Sequence, residues 1–282
     1  MKIGLHLSML CQSWTDDVSV YLEALKEAGF DGVEISLYGA SSKQIQRVVK
    51  KAQELNLVIY FGTGVDETTD PGSEKEATRR NALDYLKHCI DTAADANAVA
   101  LQGVLYAPWQ KFSSLDRQKR WHYSADVLRK AGLYAAEKGL RLHVEVINRF
   151  ETDFMNTLDE GAAFLKLIDL DNVLLLADVF HMNIEEDDIA AAIQRNLQQI
   201  GCLHISENHR GVCGSGHIDW EDFISCLKRI QYNGDLIMET FTEAGTEVGN
   251  GMCIRRSRSS RTPLQEAISG MHYIKKYIKG VE

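Results

Sequence analysis

One feature limits the fold more than any other: short apolar strand-like segments alternate with longer segments carrying a helical apolar stripe, from one end of the chain to the other. Strand-like stretches fall at 3–8, 33–37, 57–61, 99–102, 141–146, 173–178, 202–206 and 236–239. Helical stretches fall at 18–28, 42–55, 74–94, 116–138, 158–168, 187–199, 220–230 and 263–278. Parallel strands need a crossover between them, and a helix is the usual one, so this order predicts a parallel sheet covered by helices. Eight such units in 282 residues predict an α/β fold, a single closed (β/α)8 TIM barrel spanning 1–282 as one domain. No linker rich in Pro, Gly or Ser divides the units, and Pro occurs only at 71, 108 and 263. A Gly-x-Gly-x-x-Gly turn does not follow the first strand, which argues against an open dinucleotide-binding sheet.

Composition then narrows the partners. With 45% apolar and 25% charged residues the chain has enough core to fold and is not disordered. Forty acidic against 31 basic residues give a net charge of −9, which repels a phosphate backbone, so no nucleic-acid partner is expected. No apolar run reaches the roughly 18 residues a membrane span needs. Met1–His6 reads as the first strand rather than a signal peptide, and the six cysteines form no Cys-x-x-Cys pair, so reduced thiols in the cytoplasm are expected. One basic run, Arg255 to Arg261, departs from this balance. It reads as a solvated or subunit-contact loop, or as a holder of phosphate.

In a barrel of this kind, chemistry gathers at the C-terminal ends of the strands. Strand five carries Glu145, strand six ends on Asp178, strand seven carries His204 and strand eight ends on Glu239. Side chains alternate along a strand, so these four can point inward together near the mouth. Three carboxylates and an imidazole cannot converge without a counter-charge. A divalent cation supplies it, and an oxygen-rich set with one nitrogen suits Mn²⁺, Mg²⁺ or Co²⁺. Each of the last strands is followed by further polar residues: Asn148 to Glu151, His181 to Glu186, and Glu207 to Arg210. Such a shell could grip a polyhydroxylated substrate around a metal. His143, one layer below Glu145, reads as a core histidine or as a partner of the ligands; His209 and His217 read as loop residues with no metal role.

Several longer motifs carry a resemblance. They are Glu145-Val146-Ile147-Asn148-Arg149-Phe150-Glu151, Asp178 with Phe180-His181-Met182-Asn183-Ile184-Glu185-Glu186, His204 with Asn208-His209-Arg210, and Met238-Glu239 with Phe241. In these the chain resembles the ketose 3-epimerases, the D-tagatose, D-psicose and L-ribulose 3-epimerase group of the xylose-isomerase-like barrels, over essentially its whole length. The resemblance implies Glu145, Asp178, His204 and Glu239 as ligands of a divalent metal, Mn²⁺ first, with Mg²⁺ or Co²⁺ as alternatives. It implies substrate contacts from Glu151, His181 and Arg210, with Trp109 and Phe241 as pocket aromatics. His6 stands where the family commonly has Tyr, and Gly62 at a pocket position that varies among members, so the far end of the sugar is where this chain departs.

The implied reaction is epimerisation of a ketose at C3 through a cis-enediolate. Glu145 and Glu239 would act as acid and base on opposite faces, and no nicotinamide is needed because the reaction is redox-neutral. The implied partners are a small-molecule ketose and further copies of the chain in a homodimer or homotetramer. Rival activities on the same scaffold are 3-keto-glycoside epimerase, hydroxypyruvate isomerase and inosose dehydratase. A barrel-type apurinic endonuclease would need more ligands and a basic groove, and a non-catalytic sugar-binding barrel would not need two flanking glutamates.

Overall fold

In the computed structural model residues 1–279 are described, so the last three residues of the expected 1–282 domain lie outside the described residues. Eight strands form a closed barrel in sequence order: β1 (Ile3–His6), β2 (Gly32–Ser36), β3 (Val58–Gly62), β4 (Ala100–Gly103), β5 (Arg141–Val146), β6 (Val173–Asp178), β7 (Ile200–Ile205) and β8 (Asp235–Met238). Pairing is parallel throughout the resolved registers; β1 lies between β2 and β8, and β4 between β3 and β5. The fold is a single (β/α)8 TIM barrel, as the alternation predicts.

Among the described residues ten α-helices lie between and after the strands: α1 (Leu22–Ala28), α2 (Ser42–Glu54), α3 (Glu76–Asp95), α4 (Arg117–Glu137), α5 (Leu158–Ile168), α6 (Val179–Glu185), α7 (Ile189–Arg195), α8 (Trp220–Arg229), α9 (Glu247–Gly251) and α10 (Pro263–Lys279). Their starts are chemically marked. Ser41 and Gln44 close a reciprocal capping box at α2, and the side chains of Thr157, Asp188 and Asp219 accept the first free N–H groups of α5, α7 and α8. Among the described residues no helix is long and apolar enough to cross a membrane. All six cysteines are free, four of them buried.

By density of contacts the chain divides into two compact units, Met1–Ile59 with Leu203–Glu282, and Tyr60–Cys202. In the first, β1 and β2 pair Gly4 with Gly32, Leu5 with Val33 and His6 with Glu34, which sets His6 and Glu34 side by side. In the second, β5 pairs with β6 through Glu145 and Leu176, and with β4 through His143 and Gln102. Gly103 permits the close packing at the end of β4: a Cβ there would lie 2.2 Å from the Thr63 carbonyl oxygen, and its φ of +120° is one that L residues rarely adopt. Gly201 leaves room for the His143 ring, which a Cβ would meet at 2.4 Å.

Three local expectations are corrected. The segment 187–199 is not one helix: α7 ends at Arg195, and a short 3-10 turn, Leu197–Gln199, follows. Asn196 there turns its amide to Asp159 and to the Ala192 carbonyl, which ties off the helix end. The segment 179–185 is helical rather than loop, because Asp178 ends β6 and its side chain also accepts the Phe180 N–H as the cap of α6. The first strand stops at His6 and runs into a 3-10 turn, Leu7–Leu10.

Candidate active site

The 1–59 and 203–279 portion carries a chain of ionisable groups around Glu239. Arg210 donates from Nη1 to Glu239 Oε2 at 2.7 Å, His204 Nδ1 lies 3.3 Å from the same oxygen, and His6 Nε2 lies 3.9 Å from Oε1. All four side chains are buried. Burial alone would raise the Glu239 carboxyl, but Arg210 and His204 outweigh it and hold the group well below the usual carboxylate range. Burial would likewise lower His204, yet the Glu34 and Glu239 carboxylates hold its imidazole well above the ordinary range.

Glu34 escaped the sequence reading. It is buried on β2, and the Nε2 edge of His204 meets its Oε2 at 2.8 Å. A carboxylate accepts, so the Nε2–H donates to Glu34 and a neutral His204 presents the Nδ1 lone pair on its other edge. The only sequence signal was a lone acidic residue inside the apolar stretch Gly32-Val33-Glu34-Ile35.

Arg210 reaches Glu239 through a tight turn. Its N–H donates to the Glu207 carbonyl at 2.9 Å, its own φ is +64°, and its carbonyl accepts the Phe241 N–H at 2.7 Å. The turn is fixed by the Glu207 carboxylate, which accepts from the Gly214 N–H and Trp220 Nε1 at 2.7 Å each and from the Ile218 N–H at 3.2 Å. Glu207 is thus committed to the loop, and the Arg210 guanidinium goes to Glu239. The Phe241 ring stands edge-on to His6 at 6.2 Å between centroids.

The 60–202 portion carries a second network, around His181. The Asn148 backbone N–H donates to His181 Nδ1 at 3.1 Å, and the Asn148 side-chain nitrogen lies 2.7 Å from the same atom. With Nδ1 accepting, a neutral His181 carries its proton on Nε2. That Nε2 lies 3.6 Å from Glu145 Oε1 and 3.9 Å from Asp178 Oδ2. Glu151 accepts from Asn148 Nδ2 at 2.8 Å and from Trp109 Nε1 at 2.6 Å, so Trp109 orients a carboxylate as well as offering a ring. Tyr106, also missed in the sequence, is fully buried; burial first, then the Glu145 and Glu151 charges, push its phenol well up and keep it protonated. His143 is buried with Nδ1 3.0 Å from Gln102 Oε1, the core arrangement.

Glu145, Asp178, His204 and Glu239 each offer one ligand atom, and those atoms all lie within 4.8 Å of one another. The four side chains are buried and could hold a metal ion. The donor set fits a hard divalent cation, with three carboxylates and an imidazole nitrogen whose opposite edge is already held by Glu34. The surplus of negative charge that favours a proton on His204 equally favours a cation among the four.

A closed parallel barrel with a buried carboxylate–histidine cluster at the C-terminal ends of its strands defines a TIM-barrel enzyme with a potential metal site. The model of the xylose isomerase-like TIM barrel family matches residues 22–276, and the chain belongs to that family. It is 30% identical over 264 residues to a D-psicose 3-epimerase of Agrobacterium fabrum, covering 92% of this chain and 91% of the relative. It is 32% identical over 232 residues to an L-ribulose 3-epimerase of Methylomonas sp., covering 82% and 81%. Among solved structures, the D-psicose 3-epimerase with D-tagatose from Clostridium cellulolyticum H10 superposes with a TM-score of 0.91 at 30% identity, covering 99% of both chains. The chain is an isomerase of the epimerase class.

Proposed function

We propose that the chain epimerises a ketose at C3 through a cis-enediolate. The observation that carries this reading is the pair of buried glutamates, Glu145 and Glu239, in one ligand cluster with Asp178 and His204. Glu145, Asp178, His204 and Glu239 would hold the cation, Mn²⁺ in the first instance. Such a cation supplies Lewis-acid polarisation of the ketose carbonyl, which acidifies the neighbouring C3–H.

Inversion at C3 needs a base on one face and an acid on the other. Glu239, held ionised beside Arg210, suits removal of the proton in one direction, and Glu145 suits delivery from the other face; the roles exchange in reverse. The enediolate carries negative charge on the first sugar oxygens. Arg210 donates a fixed charge there, and His181, with its proton on Nε2, donates a neutral hydrogen bond. Glu151, held by Trp109 and Asn148, accepts from a sugar hydroxyl. Phe241 and Trp109 supply apolar walls, and His6 sets the far end. Incubation with D-psicose, D-tagatose and L-ribulose in the presence of Mn²⁺ tests the reading. Formation of the C3 epimer supports it; C1–C2 isomerisation or dehydration alone overturns it.

The chain works as one barrel domain over 1–282, in the cytoplasm, without a nucleic-acid or membrane partner, as a homodimer or homotetramer. Free cysteines suit a reducing compartment, and the 60% and 72% exposed rings of Phe112 and Phe150 suit a contact with another copy.

A further inference from the structure

The basic run after β8 does not lie out in solvent as a separate tail. Arg256, Arg258 and Arg261 line a cavity of about 450 Å³, within the size range of small-molecule sites. Its other walls come from the loop after β7, from Phe241 and Thr242, and from one face of α10.

The chemistry of this cavity is specific. None of its three arginines pairs with a carboxylate among the described residues; Arg261 Nη1 instead donates to Ser269 Oγ at 2.9 Å. Glu266 is the one carboxylate in the wall, so three guanidiniums leave the lining positive in a chain whose net charge is −9. Ser215, Ser259, Ser260 and Ser269 line the same space. Thr242 Oγ1 is buried without a hydrogen-bond partner there. Forked cationic donors flanked by hydroxyls are what a phosphate monoester takes, and the arrangement is wasted on a neutral sugar.

The cavity also adjoins the proposed reaction site. Phe241 belongs to both: its N–H is held by the Arg210 carbonyl, and its ring lies against His6, which faces Glu239. We infer that this cavity holds the phosphate of a phosphorylated ketose, so that the substrate is a sugar phosphate in preference to the free sugar. The inference rests on the epimerase reading for the reaction and on the arginine cavity for the phosphate.

The test compares kcat/KM for a free ketose and its terminal phosphate ester, with Mn²⁺, in the wild type and in an Arg256→Ala/Arg258→Ala variant. Both side chains are exposed at the surface, so the variant folds. Calorimetric titration with inorganic phosphate at matched ionic strength is the second readout. The expected result is a preference for the ester of roughly tenfold or more in the wild type, falling at least about tenfold in the variant, with phosphate binding lost in parallel. Equal kcat/KM for ester and free sugar in the wild type overturns the inference and leaves the epimerase reading standing. A preference that survives in the variant overturns it as well. Arginine-dependent phosphate binding without epimerisation of either sugar form supports the cavity and overturns the reaction.

Discussion

Glu239 and Glu145 are chemically the same residue placed in different company. Glu239 meets a guanidinium at 2.7 Å and the two imidazoles of His204 and His6 at 3.3 and 3.9 Å. Glu145 meets His181, a ring at 3.6 Å whose Nδ1 is occupied by Asn148. Arg210 and His204 hold the first carboxylate well below the usual carboxylate range, and the second faces the Nε2 edge of a ring whose other nitrogen is held by Asn148. Two carboxylates in unlike settings are what an acid and a base working as a pair require. The difference comes from fixed partners: Glu207 builds the turn that aims Arg210, and Asn148 selects the tautomer of His181.

The largest effect expected is on the ligand set common to both. Exhaustive chelation abolishes turnover, and Asp178→Asn lowers both metal content and activity; elemental analysis alongside the assay checks this. Full activity in protein shown to be free of metal would contradict the ligand assignment. Next comes the Glu239 side. Arg210→Ala leaves metal bound, raises KM and lowers kcat, costing about 2–3 kcal/mol in kcat/KM, because a charged donor to the developing enediolate is lost. Loss of metal in that variant would make Arg210 structural. Smaller again, Glu34→Gln weakens metal binding roughly tenfold by exchanging the charged acceptor that orients His204 for a neutral amide oxygen, read by titration against a competing chelator. On the Glu145 side, Trp109→Phe keeps the ring and removes the donor to Glu151, so KM rises by the equivalent of about 1 kcal/mol with little change in kcat. An equal fall in kcat would place Trp109 closer to the chemistry than its contact with Glu151 suggests.

Much of this was legible in the sequence because it is written in local pattern. The alternation of apolar segments carries the barrel, and the four residues that could hold a metal ion stand at or just after the ends of β5 to β8, where a charged residue closing an apolar strand is a local anomaly. What escaped depends on pairing between distant segments. Glu34 becomes informative only when β2 places it where the His204 ring ends, 170 residues away in sequence. The direction of the Arg210 side chain was not legible either: it stands three positions after Glu207, and only the turn at φ +64° sends its guanidinium to Glu239. The helix at 179–185 was hidden because its cap, Asp178, is also the last strand residue, and one side chain does both tasks.

In the proposed mechanism, protons leave and enter C3 through two glutamates on opposite faces. Incubating a ketose substrate in D₂O with the metal-loaded protein and recording NMR spectra of the recovered sugar tests it directly. The predicted result is an epimerised product carrying solvent deuterium at C3, with net epimerisation falling by roughly 10²–10⁴ in Glu239→Gln. Epimerised product with no deuterium at C3 would contradict the two-base assignment of Glu145 and Glu239.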